Sequence, residues 1–306
     1  MPTRLKAHQT ATALNRTILL SDGLANVGET NPDTIASDVA RREQQGVSTT
    51  TIGVGTDYDE DLLSAMAASG SGNFYHIEDP STIPDIFATE LQGLVATIGD
   101  HVRLAANSPF GIKDFLNDLP CDDNGHYRLL PLQRGRNYYL VFRIEVPACE
   151  AATDVLTLNL SWQQDGQGHS LRQTLNLQTL PWAEIEQLPA DPLVTAHIQL
   201  LNAARARAEA QTYLEKGDFF SSRQVMRRAR TDVDTWRQNL PLQDLSIEDA
   251  EYIEYHAQED ITELNELESL LGNSDEPDID KSSESILRKR LMSQRMRKQR
   301  GSDRSS

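Results

Sequence analysis

A short apolar run that stops abruptly on an acid, Thr17-Ile-Leu-Leu-Ser-Asp22-Gly, constrains this chain more than any other feature. A helical pattern follows it, and then a second buried run, Gly46-Val-Ser-Thr-Thr-Thr-Ile-Gly53-Val-Gly55. Strand, helix and strand in that order read as a parallel pair joined by a crossover. Open α/β sheets gather ligands outside the carboxyl ends of their strands, so the order places Asp22 at a binding edge.

The punctuation around these runs supports the reading. Asn31 stands as an N-cap, Pro32 takes the first helical position, Ile35, Ala36, Val39 and Ala40 share one face, and Gly46 stops the helix. Asp57 with Glu60 three residues later reads as a capping box for a helix that buries Leu62, Leu63 and Met66 and ends at Ser69-Gly70. A strand from Asn73 to His76 comes next, and Asp79-Pro80 open a longer helix. There Ile83, Ile86, Phe87, Leu91, Leu94, Val95 and Ile98 keep helical spacing, with Glu90 as the one polar interruption. Alternation of this kind predicts a parallel sheet covered by helices on both faces.

The run ending in Asp22 and the β-branched strand ending Ile52-Gly-Val-Gly55 together resemble the second half of a von Willebrand factor A (vWA) domain, over residues 1–98. The resemblance implies a Rossmann-like sheet and a metal-ion-dependent adhesion site. In that family a divalent cation, usually magnesium (Mg2+), is held by three loops: Asp-x-Ser-x-Ser after strand one, a threonine further on, and an aspartate after strand four. Asp22 matches the third loop, and Ser21 and Asn26 are neighbours suited to bind a metal-bound water. Sixteen residues precede Thr17, too few for three strands and their helices, and no Asp-x-Ser-x-Ser stands at a later strand end. The expectation is therefore a truncated vWA domain that keeps the third-motif position of an incomplete site. Its family-type, cation-dependent binding is expected to be impaired, because one carboxylate does not replace a shell of about six oxygens.

From residue 100 to 182 the apolar period shifts to two, through Val102 and Leu104, Leu129 and Leu130, Tyr138 to Val146, Val155 to Leu160, and Leu171 to Leu177 after Asp165-Gly-Gln-Gly168. That pattern predicts an antiparallel, sandwich-like β-domain. Residues 189–240 return to helical spacing and turn at Lys216-Gly-Asp218, an αα-hairpin. Ser246 and Asp249 cap an acidic helix over 246–271. Beyond Gly272 the low hydrophobicity predicts a disordered charged tail, 273–306, with a transient basic helix at Ile286 to Arg297. The fold class is thus α/β, followed by an antiparallel β-domain and an α-helical C-terminal region.

A formal net charge of −17 argues against nucleic-acid binding by the body of the protein. The basic stretch 281–304 is the exception: it either meets an anionic partner or folds back on the acidic helix. No apolar run approaches the roughly 20 residues that span a bilayer, and the first residues lack a secretion signal, so the expected location is cytoplasmic. Cys121 and Cys149 lack metal or redox spacing, the seven histidines form no catalytic pattern, and no phosphate-loop, nucleophile-elbow or zincin motif is present. Gly53-Val-Gly55 lacks the third glycine of a dinucleotide loop, and the acids at Asp57, Asp59, Glu60 and Asp61 read as helix capping. Two functions follow. The first is a non-enzymatic interaction module with a protein partner, including a second chain that carries the missing half. The second is a scaffold or adaptor working through the hairpin and basic tail, with an inert vWA remnant.

Overall fold

The structure is a computed structural model that describes residues 14–24, 28–240, 245–271 and 281–299. Its first layer alternates as the sequence predicts: β1 (Asn15–Ser21), α1 (Pro32–Glu43), β2 (Val47–Val54), α2 (Glu60–Ser69), β3 (Ser71–Ile77), a 3-10 turn (Pro80–Thr82) and α3 (Ile83–Ala96). The strands form a parallel sheet in the order β1-β2-β3, with Ile18 opposite Thr50 and Leu20 opposite Ile52. Asn31 accepts from the amides of Asp33 and Thr34, so the first helix starts where its cap and proline require. Gly53 is obligatory, since a Cβ there would lie 2.1 Å from the Tyr58 ring.

Successive threonines of β2 serve opposite faces. Thr51 donates to the Leu63 carbonyl of α2 at 2.7 Å, whereas Thr50 donates to Glu90 of α3 at 2.9 Å. Glu90 is not an interruption of a buried stripe but its centre. Its carboxylate also binds Arg16 at 2.7 Å, Asn73 at 2.7 Å and Tyr75 at 2.8 Å. Burial acts to raise its pKa, yet Arg16 and the three hydrogen bonds outweigh it and hold the group below the usual carboxylate range. Because the helix turns its carboxylate inward, Leu91 (58 % exposed) and Val95 (88 %) face outward. This reverses the orientation the spacing suggests.

The second layer is antiparallel. β4 (Thr97–Asn107) leaves α3 without a loop, and β5 (Asp114–Phe115), β6 (Tyr127–Arg128), β7 (Leu132–Gln133) and β8 (Phe142–Arg143) are two-residue pieces. β9 (Thr153–Gln164) and β10 (Gln167–Leu177) make a long hairpin closed by Asp165 and Gly166, both at positive φ, as a tight Asp-Gly turn requires. The sheet runs β10-β9-β4-β6 with β7 also on β4, and β5-β8 is a separate ribbon. The expected sandwich is accordingly one full sheet faced by a two-stranded ribbon. Val102, Leu104 and Leu129 form its core, while Leu171, Leu175 and Leu177 of the edge strand stay exposed because nothing among the described residues covers them.

A short helix, α4 (Trp182–Ile185), leads to the hairpin α5 (Pro192–Glu215) and α6 (Phe219–Gln238), which reverses at Gly217 with φ +73°. The acidic helix is α7 (Ile247–Leu270), and α8 (Lys281–Gln299) follows. α8 corrects the expectation of a disordered tail. Leu287 and Leu291 join Leu214, Met226, Val233, Ala257 and Leu264 in one core, and Met292 and Met296 join Tyr58, Leu63, Ala67 and Phe74 in another. The low hydrophobicity of 281–299 concealed this stripe. Four of its cations are matched to acids instead: Lys289 with Glu60, Arg290 with Glu78, Arg297 with Glu263, and Lys298 with Glu259. The tail residues 272–280 and 300–306 lie outside the described residues.

Candidate binding edge of the parallel sheet

Ser21, Val54 and Ile77 end the three parallel strands and define the carboxyl edge. After β1 the Ser21 hydroxyl donates to the Gly23 carbonyl at 2.9 Å, closing a local turn that leaves Asp22 exposed. Asp22 has no hydrogen-bond or ion-pair partner among the described residues. Asn26 lies outside the described residues.

The other two loops are fastened. Tyr58 lies beneath the β2 loop at 2 % exposure, its hydroxyl 2.9 Å from Nδ1 of His76. Burial, then the nearby Glu60 and Glu78, push the phenol above its ordinary range. Burial pushes His76 down to about 4, with Lys289 and Arg290 acting the same way and Glu78 opposing. At neutral pH the tyrosine therefore donates to an uncharged imidazole. The Lys289 ammonium sits 4.6 Å over the Tyr58 ring and 2.6 Å from Glu60. Ser285 donates to the Thr56 carbonyl at 3.2 Å, and Arg290 holds Glu78 at 2.9 Å. The loops after β2 and β3 are thus tied to α8, whereas the described residues of the loop after β1 show no such tie.

The acids near this edge are used structurally. The cap of α2 is Asp59, which accepts from Leu62 at 2.9 Å, two residues beyond the Asp57 start that spacing suggests. The Thr56 hydroxyl donates to Asp57 at 3.3 Å. Among the described residues no group of three or more His, Cys, Asp or Glu is arranged to hold a metal ion. A hard divalent cation takes about six oxygen ligands, so the described residues do not fit one by themselves. Cys121 and Cys149 are both free thiols.

Sequence reasoning missed Ser285, Lys289 and Arg290 as neighbours of this edge. A signal was present: Leu287, Leu291 and Met292 recur at helical spacing inside the basic run.

Residues 4–89 match the family model described as the von Willebrand factor type A domain. The chain is 32 % identical over 91 residues to "Uncharacterized protein YfbK" of Escherichia coli (strain K12), a stretch covering 29 % of this chain and 16 % of that protein. It therefore spans about a sixth of the curated relative it matches. Among solved structures, a von Willebrand factor type A protein from Catenulispora acidiphila is similar with a TM-score of 0.56 and 16 % identity, covering 84 % of this chain and 59 % of that one. The ArnB paralog VWA2 from Sulfolobus acidocaldarius is similar with a TM-score of 0.50 and 16 % identity, covering 93 % of this chain and 63 % of that one. At such identity the likeness speaks to the fold.

Proposed function

We propose that this chain, a von Willebrand factor type A domain protein by its residues 4–89, is a non-enzymatic protein-interaction module whose binding edge is completed by further polypeptide laid against β1. That domain family consists of protein-interaction and adhesion modules, and no helix among the described residues is long and apolar enough to cross a membrane. The observation that carries the reading is the flank beside Asp22. Among the described residues β1 pairs with β2 on one side and with no strand on the other. Leu20 of β1 (44 % exposed) and the outward Leu91 and Val95 of α3 are exposed apolar side chains of the same layer. Free strand edges recruit strands. The strand that fits brings an Asp-x-Ser-x-Ser loop beside Asp22, and Mg2+ then has ligands from both pieces.

Without that addition the cation-dependent binding expected of the family is impaired, and Asp22 is an exposed turn residue. The adaptor alternative has less support, because the basic residues it needs are engaged by α7 and by the parallel layer.

Hydrogen exchange tests the proposal. The outward amides of β1 exchange faster than those of β2 in the chain as given, and a magnesium titration shows no saturable site. Asp22→Ala changes stability by no more than about 0.5 kcal/mol, as for other exposed positions. Protection of β1 equal to that of β2, or tight Mg2+ binding lost in Asp22→Ala, would mean that the flank or the metal shell is already complete.

A further inference from the structure

A second recess lies at the other end of the parallel sheet, where the start of β3, the antiparallel layer and the last turns of α8 meet. It measures about 810 Å3 with its mouth. Ala68, Leu129 and Met296 give it an apolar wall, and Arg128 of β6 and Arg295 of α8 give it a basic one.

The two arginines stand apart from those in the rest of the interior. Arg16 meets Glu90, Arg103 meets Glu43, Arg205 meets Asp114 and Asp118, and Arg207 meets Asp260. Arg128 and Arg295 have no ion pair or side-chain hydrogen bond among the described residues, and the Nε of each is enclosed without a partner. Arg128 also lies directly across the β6–β4 pairing from Arg103, a like-charge opposition that Glu43 relieves on one side only. Burial pulls the Arg295 guanidinium below its ordinary pKa against the weaker opposing pull of Asp61, Glu215 and Asp118.

Three other polar groups of the recess are spent. Asp118, the one carboxylate on the described wall, is gripped by Arg205 at 2.6 and 2.8 Å. The Ser71 hydroxyl donates to Glu43 at 3.0 Å, and Tyr138 donates to the Pro131 carbonyl at 2.6 Å. Two half-buried guanidinium groups, the Nε of each enclosed, are therefore left facing one cavity without an ion-pair or side-chain hydrogen-bond partner among the described residues.

We propose that this cavity binds a small organic anion, with a phosphate or carboxylate head between the Arg128 and Arg295 guanidinium groups and an apolar body against Ala68, Leu129 and Met296. Guanidinium forks match both oxyanions by paired hydrogen bonds. A half-buried cation without a partner is partly desolvated, and an anion from outside offsets that cost. Bound there, the anion bridges the parallel layer, the antiparallel layer and α8, so it stabilises the assembled fold through mass action. The site is independent of Asp22 and of the interaction reading.

The test is titration of the whole chain, at fixed ionic strength, with phenyl phosphate, inorganic phosphate and benzoate, read by calorimetry and thermal melting. Phenyl phosphate or benzoate saturates one site and raises the melting temperature, and whichever does so at lower concentration identifies the preferred head group. Inorganic phosphate binds about tenfold or more weakly than phenyl phosphate, because it buries no ring. Arg128→Met and Arg295→Met each weaken binding by about tenfold or more. Without ligand both variants melt at or above the original temperature, which a merely structural arginine would not allow. Absence of a saturable response to all three anions in the unaltered chain overturns the proposal whether or not the variants fold. So does unchanged affinity in both variants.

Discussion

α3 and α8 invert each other. α3 looks like a core helix, yet its deepest side chain is the carboxylate of Glu90 while Leu91 and Val95 face out. α8 looks like a solvated basic tail, yet Leu287, Leu291, Met292 and Met296 are buried and Lys289, Arg290, Arg297 and Lys298 are paired with acids. The difference shows that a helix is oriented by what its neighbours offer. β1, β2 and β3 present Arg16, Thr50, Asn73 and Tyr75 to α3, a donor set that selects an acid. α2 and α7 present apolar surface bordered by acids, which selects leucine, methionine and lysine.

The largest expected effect breaks the polar anchor. Glu90→Ala strands Arg16, whose side chain is 8 % exposed, together with three donors. The loss is about 3–5 kcal/mol, read as a fall in the urea midpoint at unchanged slope. A loss below about 1 kcal/mol would mean that Arg16 finds solvent and that α3 is held by its apolar residues after all.

The next effect is a paired measurement. Leu291→Ala empties a fully buried position where two cores adjoin and costs about 2–5 kcal/mol, whereas Leu91→Ala, at a 58 % exposed position, stays within about 0.5 kcal/mol. Equal losses would put Leu91 against a cover and remove the contrast between the two helices. They would also remove the apolar flank from the proposed interaction surface.

The contrast explains what could be read in advance. The parallel layer was legible because its signals are local: Asn31 with Pro32, Gly46, and the buried run of β2 each act within a few residues. Asp22 at a strand end was legible for the same reason. The orientation of α3 was not, since Glu90 owes its burial to residues 15 to 74 positions away in sequence. The return of the basic stretch to the acidic helix was one of two readings and is seen in Arg297–Glu263 and Lys298–Glu259, but its docking on the parallel layer was not legible, because Glu60 and Thr56 lie 229 positions away. The shift of the α2 cap from Asp57 to Asp59 is of another kind. Asp57 and Asp59 are both able caps, and Tyr58 has to reach the space over Gly53, which fixes the later start.

Acidification separates the two helices in a definite order, with the smallest of these effects. His76 and His197 both have folded pKa values of about 4, lowered first by burial, against about 6.5 in an unfolded chain. The unfolded state therefore takes up their protons first, and the stability they contribute, complete above about pH 6.5, is lost as pH falls toward about 4. Both rings adjoin elements that hold α8: His76 is 3.5 Å from Glu78, which grips Arg290, and His197 shares a cleft with Arg297 and Lys298. Glu90 follows in a lower window. Its folded pKa is depressed, so its contribution is present above about 4.3 and disappears as pH falls through the folded value. Exchange protection of α8 should accordingly weaken between about pH 6.5 and 4 while α3 holds, with a loss of about 1–3 kcal/mol. His197→Phe, which keeps a ring against Tyr139, should roughly halve that slope, leaving the share of His76, without touching the lower one. If α3 loosened first, or the slope were undiminished by the substitution, the two anchors would not be the independent devices that their opposite chemistry implies.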